Sequence, residues 1–299
     1  MSETTLRAIL VTGAGGQLGT ELQRCAWPQG YEIVAIDYDT LDLHDNAAIA
    51  AMVASRPFAA VINGAAYTAV DKAESDVVTA WAVNAMAPAA FGEACAKAGI
   101  PLVQVSTDYV FAGDRQGAWE VNDPVEPLGV YGASKLGGEL AVRTSGARYA
   151  IVRTAWVVSA HGHNFIKTML RLAETRDTLS VVADQYGAPT GAADLANVLM
   201  TITLRLVEDE EAPTGTFHFS NTGAISWADF ATEIFRQSGS RGGPSATVVP
   251  IPSSDYPTPA ARPANSLLSH TAIHAAYGIA PRDWQAALND ILDELIGAK

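Results

Sequence analysis

Short apolar runs alternate with stretches of helical spacing through the first half of the chain. The run 6–11 ends in Thr12-Gly13 and reads as a buried parallel strand entering a tight turn. In 17–25, Leu18 and Leu22 share one helical face. The run 31–36 is a second strand ending at Asp37, and Asp45 is placed to cap a helix through Ile49, Met52 and Val53. A short third strand is expected at 60–62. A long Ala-rich helix then covers 76–97, stopped by Gly99-Ile100-Pro101. Strands follow at 102–105 and 149–152, with a helix carrying Tyr131 and Lys135 between them. This order predicts an α/β fold, a Rossmann-like doubly wound parallel sheet with helices on both faces.

Beyond residue 155 the alternation loosens. Helical spacing recurs at 165–174, 194–207, 227–237 and 284–296, and short strands are expected at 217–219 and 247–249. The stretch 250–263 holds five prolines and reads as an irregular loop. The expected organisation is a dinucleotide-binding domain over 1–155, to which later segments return. Residues 156–299 form mostly a smaller α/β substrate-binding lobe.

Composition narrows the function. With 299 residues, 48% hydrophobic and 17% charged, the chain can bury a sizeable core. A net charge of -13 argues against nucleic acid and anionic membranes as partners, and any phosphate site must rest on local donors. Cys25 and Cys95 make neither a disulfide scaffold nor a metal set, which fits a reduced, cytoplasmic compartment. No signal sequence is visible, and no apolar run approaches the roughly 20 residues of a membrane span.

The first candidate chemistry lies in Gly13-Ala14-Gly15-Gly16-Gln17-Leu18-Gly19, between the first strand and first helix. Glycines at 13, 16 and 19 let main-chain amides approach a pyrophosphate at the positive end of the helix. Asp37 follows about 20 residues later, where an acid holds a ribose hydroxyl. Asp39, Asp42 and Asp45 add negative charge, with no Lys or Arg between Arg24 and Arg56. A 2′-phosphate is repelled there, which favours NADH over NADPH. Asp42-Leu43 either flanks the adenine or simply leads into the next helix.

Tyr131 and Lys135 stand one helical turn apart. An ammonium and an oxidised nicotinamide beside the phenol both favour its phenolate, bringing it toward acid–base work near neutral pH. Many surface helices carry such a pair, and it becomes specific only behind a glycine-rich first turn and a strand ending in a hydroxyl. That strand end is Ser106-Thr107-Asp108-Tyr109. Thr107 is the choice for bonding the carbonyl oxygen being reduced.

Together these residues resemble the extended short-chain dehydrogenase/reductase family and, within it, the dTDP-4-dehydrorhamnose reductases. The resemblance runs almost end to end. It is carried by Gly16-Gln17-Leu18-Gly19, the run from Asn63 to Glu74, Ser106 to Phe111, Tyr131-Gly132-Ala133-Ser134-Lys135 and Arg153-Thr154-Ala155-Trp156-Val157. It continues through Asp184-Gln185-Tyr186-Gly187-Ala188-Pro189-Thr190 and the run from Tyr256 to Pro263. It implies reduction of the C4 keto group of dTDP-4-dehydro-β-L-rhamnose by NADPH or NADH, with Tyr131 as proton donor and Lys135 on the nicotinamide ribose. Gly16, Gln17, Leu18, Asp37, Asp42, Leu43, Ala65, Ala66, Tyr67 and Thr68 then line the cofactor with Gly13. Thr107, Asp108, Tyr131 and Trp156 meet the dTDP-sugar, and Arg262 is the candidate for its pyrophosphate. From the residues alone, Trp156 is equally a core aromatic and Arg262 a brace for the Pro-rich loop. The resemblance also allows a homodimer and Mg2+, although no residue cluster supports a metal cage.

Two departures stand out. Gly64 replaces a more usual alanine, and Gly129 stands where a polar residue is common before the tyrosine. Two other functions share this first domain. A sugar-nucleotide dehydratase or epimerase is one, but a 4,6-dehydratase carries an acid where this chain has Tyr109. A non-catalytic, cofactor-binding regulatory subunit is the other. Its activity toward a sugar nucleotide would be nil.

Overall fold

The computed structural model describes residues 6–297. Its centre is a sheet of six strands, all parallel: Arg7–Thr12, Tyr31–Ile36, Phe58–Asn63, Leu102–Thr107, Tyr149–Thr154 and Gly215–His218. In that numbering the spatial order is 6-5-4-3-1-2. The order reverses between the first and third strands, so a crevice opens there beyond their carboxyl ends. Ile9, Val11, Ile62 and Val152 are fully buried on one face, and Leu10, Val61, Leu102 and Ile151 on the other. Burial on both faces is why these strands read as continuous apolar runs.

The helices Gln17–Arg24 and Ala192–Glu208 cover the first face. Asn46–Ala54, Ala87–Ala98 and Val130–Thr144 cover the other. A third core lies apart from the sheet. Ile166, Leu170, Leu179, Phe230, Ile234, Trp284 and Leu288 gather there around the parallel pair Thr178–Val182 and Thr247–Ile251.

Two expectations change. The strand expected at 217–219 begins earlier and extends the main sheet, pairing Gly215–His218 with Ala150–Arg153. The Ala-rich helix is interrupted: Val77–Trp81 passes into a π turn, Ala82–Met86, before Ala87–Ala98. Pro88 is the cause. It has no N–H to give the carbonyl of Asn84 four residues back, and the ladder slips so that Ala87 N donates to Ala82 O.

Candidate active site

The turn after the first strand is built for close approach. Gly13 takes the left-handed region at φ +79°. A Cβ on Gly19 would lie 2.0 Å from the Gly13 carbonyl oxygen, so a side chain there would lift the helix off the turn. Ala14 N donates to Ile36 O at 3.0 Å, and Gly15 N donates to Asp37 Oδ2 at 2.9 Å. The turn and the end of the second strand are thereby locked together, with Asp37 beside the glycines.

A cavity of about 260 Å³ opens between this turn and the segment after the third strand. Gly13, Asp37, Asp42, Leu43, Ala65, Ala66 and Tyr67 are in its wall. Gly16 precedes the first helix and Gln17 begins it, with Gln17 Oε1 accepting from Asn164 Nδ2 at 3.0 Å. The Leu18 side chain turns into the core beneath Gly64. That leaves its amide, at the helix N-terminus, as the group able to meet a phosphate. Thr68 is exposed and lies outside the cavity wall.

A buried polar ladder runs from this turn to Lys135. Thr12 Oγ1 accepts from Ala65 N at 3.1 Å and donates to Asn63 Oδ1 at 2.6 Å. Asn63 Nδ2 donates to Gln104 Oε1 at 2.8 Å, and Gln104 Nε2 to Val105 O at 2.9 Å. The same carbonyl takes Lys135 Nζ at 2.7 Å. The spacing of apolar runs gave no hint of Asn63 or Gln104, because they are polar side chains inside strands read only for burial.

Lys135 is 4% exposed, and burial pulls its ammonium down to about 8, with Glu139 opposing the shift. Glu139 is itself buried and held by Arg153 through two bonds, at 2.8 and 2.7 Å, and by Arg143 at 3.0 Å. Ser106 Oγ donates to the same carboxylate at 2.6 Å. An ion pair therefore anchors the fourth strand one residue before Thr107.

Tyr131 stacks edge-on against Tyr109, centroids 5.4 Å apart. Gly132 makes this approach feasible, since a Cβ there would lie 2.1 Å from the Tyr109 carbonyl oxygen. The Tyr131 phenol is pushed up to about 12, chiefly by burial, with Asp108 adding to the rise and the Thr107 hydroxyl opposing it. In the chain alone, this burial outweighs the helical neighbour Lys135. Lys135 is drawn to Val105 O, and burial dominates, so the phenol stays protonated at neutral pH. A protonated phenol is the form a proton donor needs.

Thr107 Oγ1 donates to Asp108 Oδ1 at 3.0 Å. Among the described residues, three buried side-chain polar atoms lack a partner: Asp108 Oδ2, Thr154 Oγ1 and Arg262 Nη1. Arg262 Nη2 is held by Asp71 Oδ2 at 2.8 Å. Orphaned buried polar atoms call for a partner that completes them. Trp156 follows the fifth strand and is the one non-glycine residue with positive φ among those described, at +49°. Its indole stacks on Trp227, centroids 3.4 Å apart, where a Cβ on Gly187 would intrude.

The family model described as the RmlD substrate binding domain matches residues 7–296. A dTDP-4-dehydrorhamnose reductase of Aggregatibacter actinomycetemcomitans is 42% identical over 288 residues, covering 95% of this chain and 97% of its own. The chain belongs to the dTDP-4-dehydrorhamnose reductase family. Two solved members superpose closely. That of Clostridium acetobutylicum has a TM-score of 0.89 at 38% identity, covering 96% of this chain and 99% of that one. That of Bacillus anthracis, solved in complex with NADP, has a TM-score of 0.89 at 35% identity, covering 97% and 99%. The family match spans both the sheet and the later lobe.

Among residues that sequence reasoning passed over, Asn84 is prominent. The π turn presents its side chain to accept from Tyr67 N at 2.9 Å and to donate to Tyr67 O and Ser134 Oγ, at 3.0 and 3.1 Å. It ties the cavity wall to the residue before Lys135. Pro88 was the available signal.

Proposed function

We propose that this chain reduces the C4 keto group of dTDP-4-dehydro-β-L-rhamnose to dTDP-L-rhamnose. The carrying observation is the meeting of Thr107, Tyr131 and Lys135 at the carboxyl end of the fourth strand. The dinucleotide cavity opens on the same edge of the sheet, in a chain related end to end to the reductases. The turn is compatible with a dinucleotide: its glycines let the first helix sit tight on the turn with its amides bare, and Asp37 beside them would take a ribose hydroxyl. When bound, the reduced nicotinamide supplies the hydride to C4.

The chain's own groups do the rest. Tyr131 holds its proton at the phenol oxygen and passes it to the sugar oxygen as that atom gains charge. Thr107 donates a hydrogen bond to the same oxygen and stabilises the charge. Lys135 orients the nicotinamide ribose and offsets the negative charge left on Tyr131. Asp108 Oδ2 and Arg262 Nη1, unpartnered in the free chain, take a sugar hydroxyl and the pyrophosphate. Trp156, fixed by Trp227, covers one face of the sugar. Dehydration is disfavoured, because Tyr109 carries a phenol raised well above its ordinary value by burial. It is no substitute for a carboxylic acid.

Residues 1–155 with later returning segments form the cofactor half, and the separate core around Phe230 and Trp284 forms the substrate half. NADH and NADPH both serve the chemistry, and the acidic strand end favours NADH. Incubation of the purified protein with dTDP-4-dehydro-L-rhamnose and each cofactor tests the reading, with dTDP-L-rhamnose expected as product. Oxidation of neither cofactor would refute it.

A further inference from the structure

The helix that carries Tyr131 starts without a cap of its own. Its N-cap residue is Gly129, in extended backbone, and no side chain of the helix's own leading residues bonds its first amides. The missing acceptor comes from another segment: Glu74 Oε1 accepts from Val130 N at 2.9 Å. A Cβ on residue 129 would lie 2.5 Å from that same oxygen. The carboxylate thus occupies the space an ordinary capping side chain would fill. This accounts physically for glycine at a position where a polar residue is common.

Glu74 closes the short helix Val70–Ala73, and its neighbours have their own tasks. Tyr67 is in the cavity wall, with its backbone clasped by Asn84. Asp71 holds Arg262 at 2.8 Å and takes Ala260 N at 3.3 Å. The cavity wall, the Pro-rich loop of the later lobe and the first turn of the catalytic helix therefore all fasten to residues 67–74.

We propose that Glu74 is a positioning residue for the reduction: by capping the helix in trans at Val130, it sets where the adjacent Tyr131 phenol stands relative to Thr107. An anion at this end is favoured by the helix dipole, and a small displacement of an acid in a preorganised site is costly in rate. The proposal rests on the reductase reading for its kinetic consequence but not for the cap itself.

The test uses Glu74→Ala, Glu74→Gln, and Glu74→Ala combined with Gly129→Asn, in the full chain. Turnover and hydrogen exchange at the Val130 amide are read together. Glu74→Ala should lower kcat roughly tenfold or more while leaving cofactor affinity within about twofold, and Val130 should exchange faster. Glu74→Gln, whose amide oxygen still accepts, should recover most of the loss. The double variant should recover turnover but not Val130 protection, because asparagine at the N-cap accepts from the amides of Tyr131 or Gly132 once the carboxylate is gone. Wild-type kcat and Val130 protection in Glu74→Ala would overturn the proposal, as would a folded double variant no faster than Glu74→Ala. If Glu74→Ala does not fold, Glu74→Gln decides by both readouts and the double variant by kcat. A wild-type protein inactive on the sugar nucleotide would sink the reductase reading, leaving the Val130 exchange to judge the cap.

Discussion

The ammonium of buried Lys135 donates to the carbonyl oxygen of Val105 at 2.7 Å. That bond ends the polar ladder that begins at Thr12 beside the phosphate turn. The glycine turn and the helix of Tyr131 are registered to one another through side chains buried in the strands.

The buried ammonium gives a pH signature. Its value of about 8 lies below the ordinary 10.5, so the charged form is lost as pH rises through 8. Reductive kcat/KM, which reports the free enzyme's groups, should therefore decline above about pH 8. The same shift costs stability, fully below pH 8 and not at all above about 10.5. Lys135→Met should stabilise the fold by about 3 kcal/mol at pH 7, with the gain fading toward pH 10.5 in denaturant titrations. A gain that grew with pH would contradict the assignment.

Asp108 behaves in the opposite sense. Burial raises its carboxyl to about 6 from 3.8. The folded state binds the extra proton between these values, so the penalty is full above pH 6 and absent below about 4. Asp108→Asn should stabilise the free chain by about 3 kcal/mol at pH 7.5 and by little at pH 4. Turnover should fall at every pH. Thermal melts at the two pH values check the stability, and equal gains at both would refute the account.

Glu139 and Arg153, each 1% exposed, form a buried pair. Arg153→Met strands the carboxylate and should cost roughly 3 to 5 kcal/mol, because a buried charge loses its partner. Urea unfolding measures it. A loss below about 1 kcal/mol would show that Arg143 and Ser106 suffice to satisfy Glu139.

Much of this was legible beforehand, for identifiable reasons. The parallel strands are buried on both faces, so Leu10 or Ile151 announces itself by composition alone. The turn that joins Gly13, Gly19 and Asp37 was readable from the glycine spacing and the strand end. Partnerships were not legible. Nothing in the spacing says that Glu74 caps a helix 56 residues away, or that Gln104 links Asn63 to the carbonyl that holds Lys135. The burial of Tyr131 was not legible either: helical spacing shows Lys135 nearby but not the desolvation that raises the phenol in the chain alone. The pairing of Gly215–His218 with the fifth strand was hidden by the long stretch of lobe between them.

Cofactor choice follows from the end of the second strand. Asp37 stands beside Gly15, with Asp42 in the same cavity wall. A 2′-phosphate there meets like charge, so kcat/KM should favour NADH over NADPH roughly tenfold or more. Asp37→Ser should narrow that ratio, chiefly by lowering KM for NADPH. A wild-type preference for NADPH would contradict this account.

The central claim is that Tyr131 delivers the proton. Tyr131→Phe and wild type should be compared with dTDP-4-dehydro-L-rhamnose and NADH, following loss of reduced-nicotinamide absorbance, with cofactor affinity measured separately. The expected result is a fall in kcat of roughly a hundredfold or more with cofactor affinity unchanged. Turnover of the phenylalanine variant near the wild-type rate would contradict it.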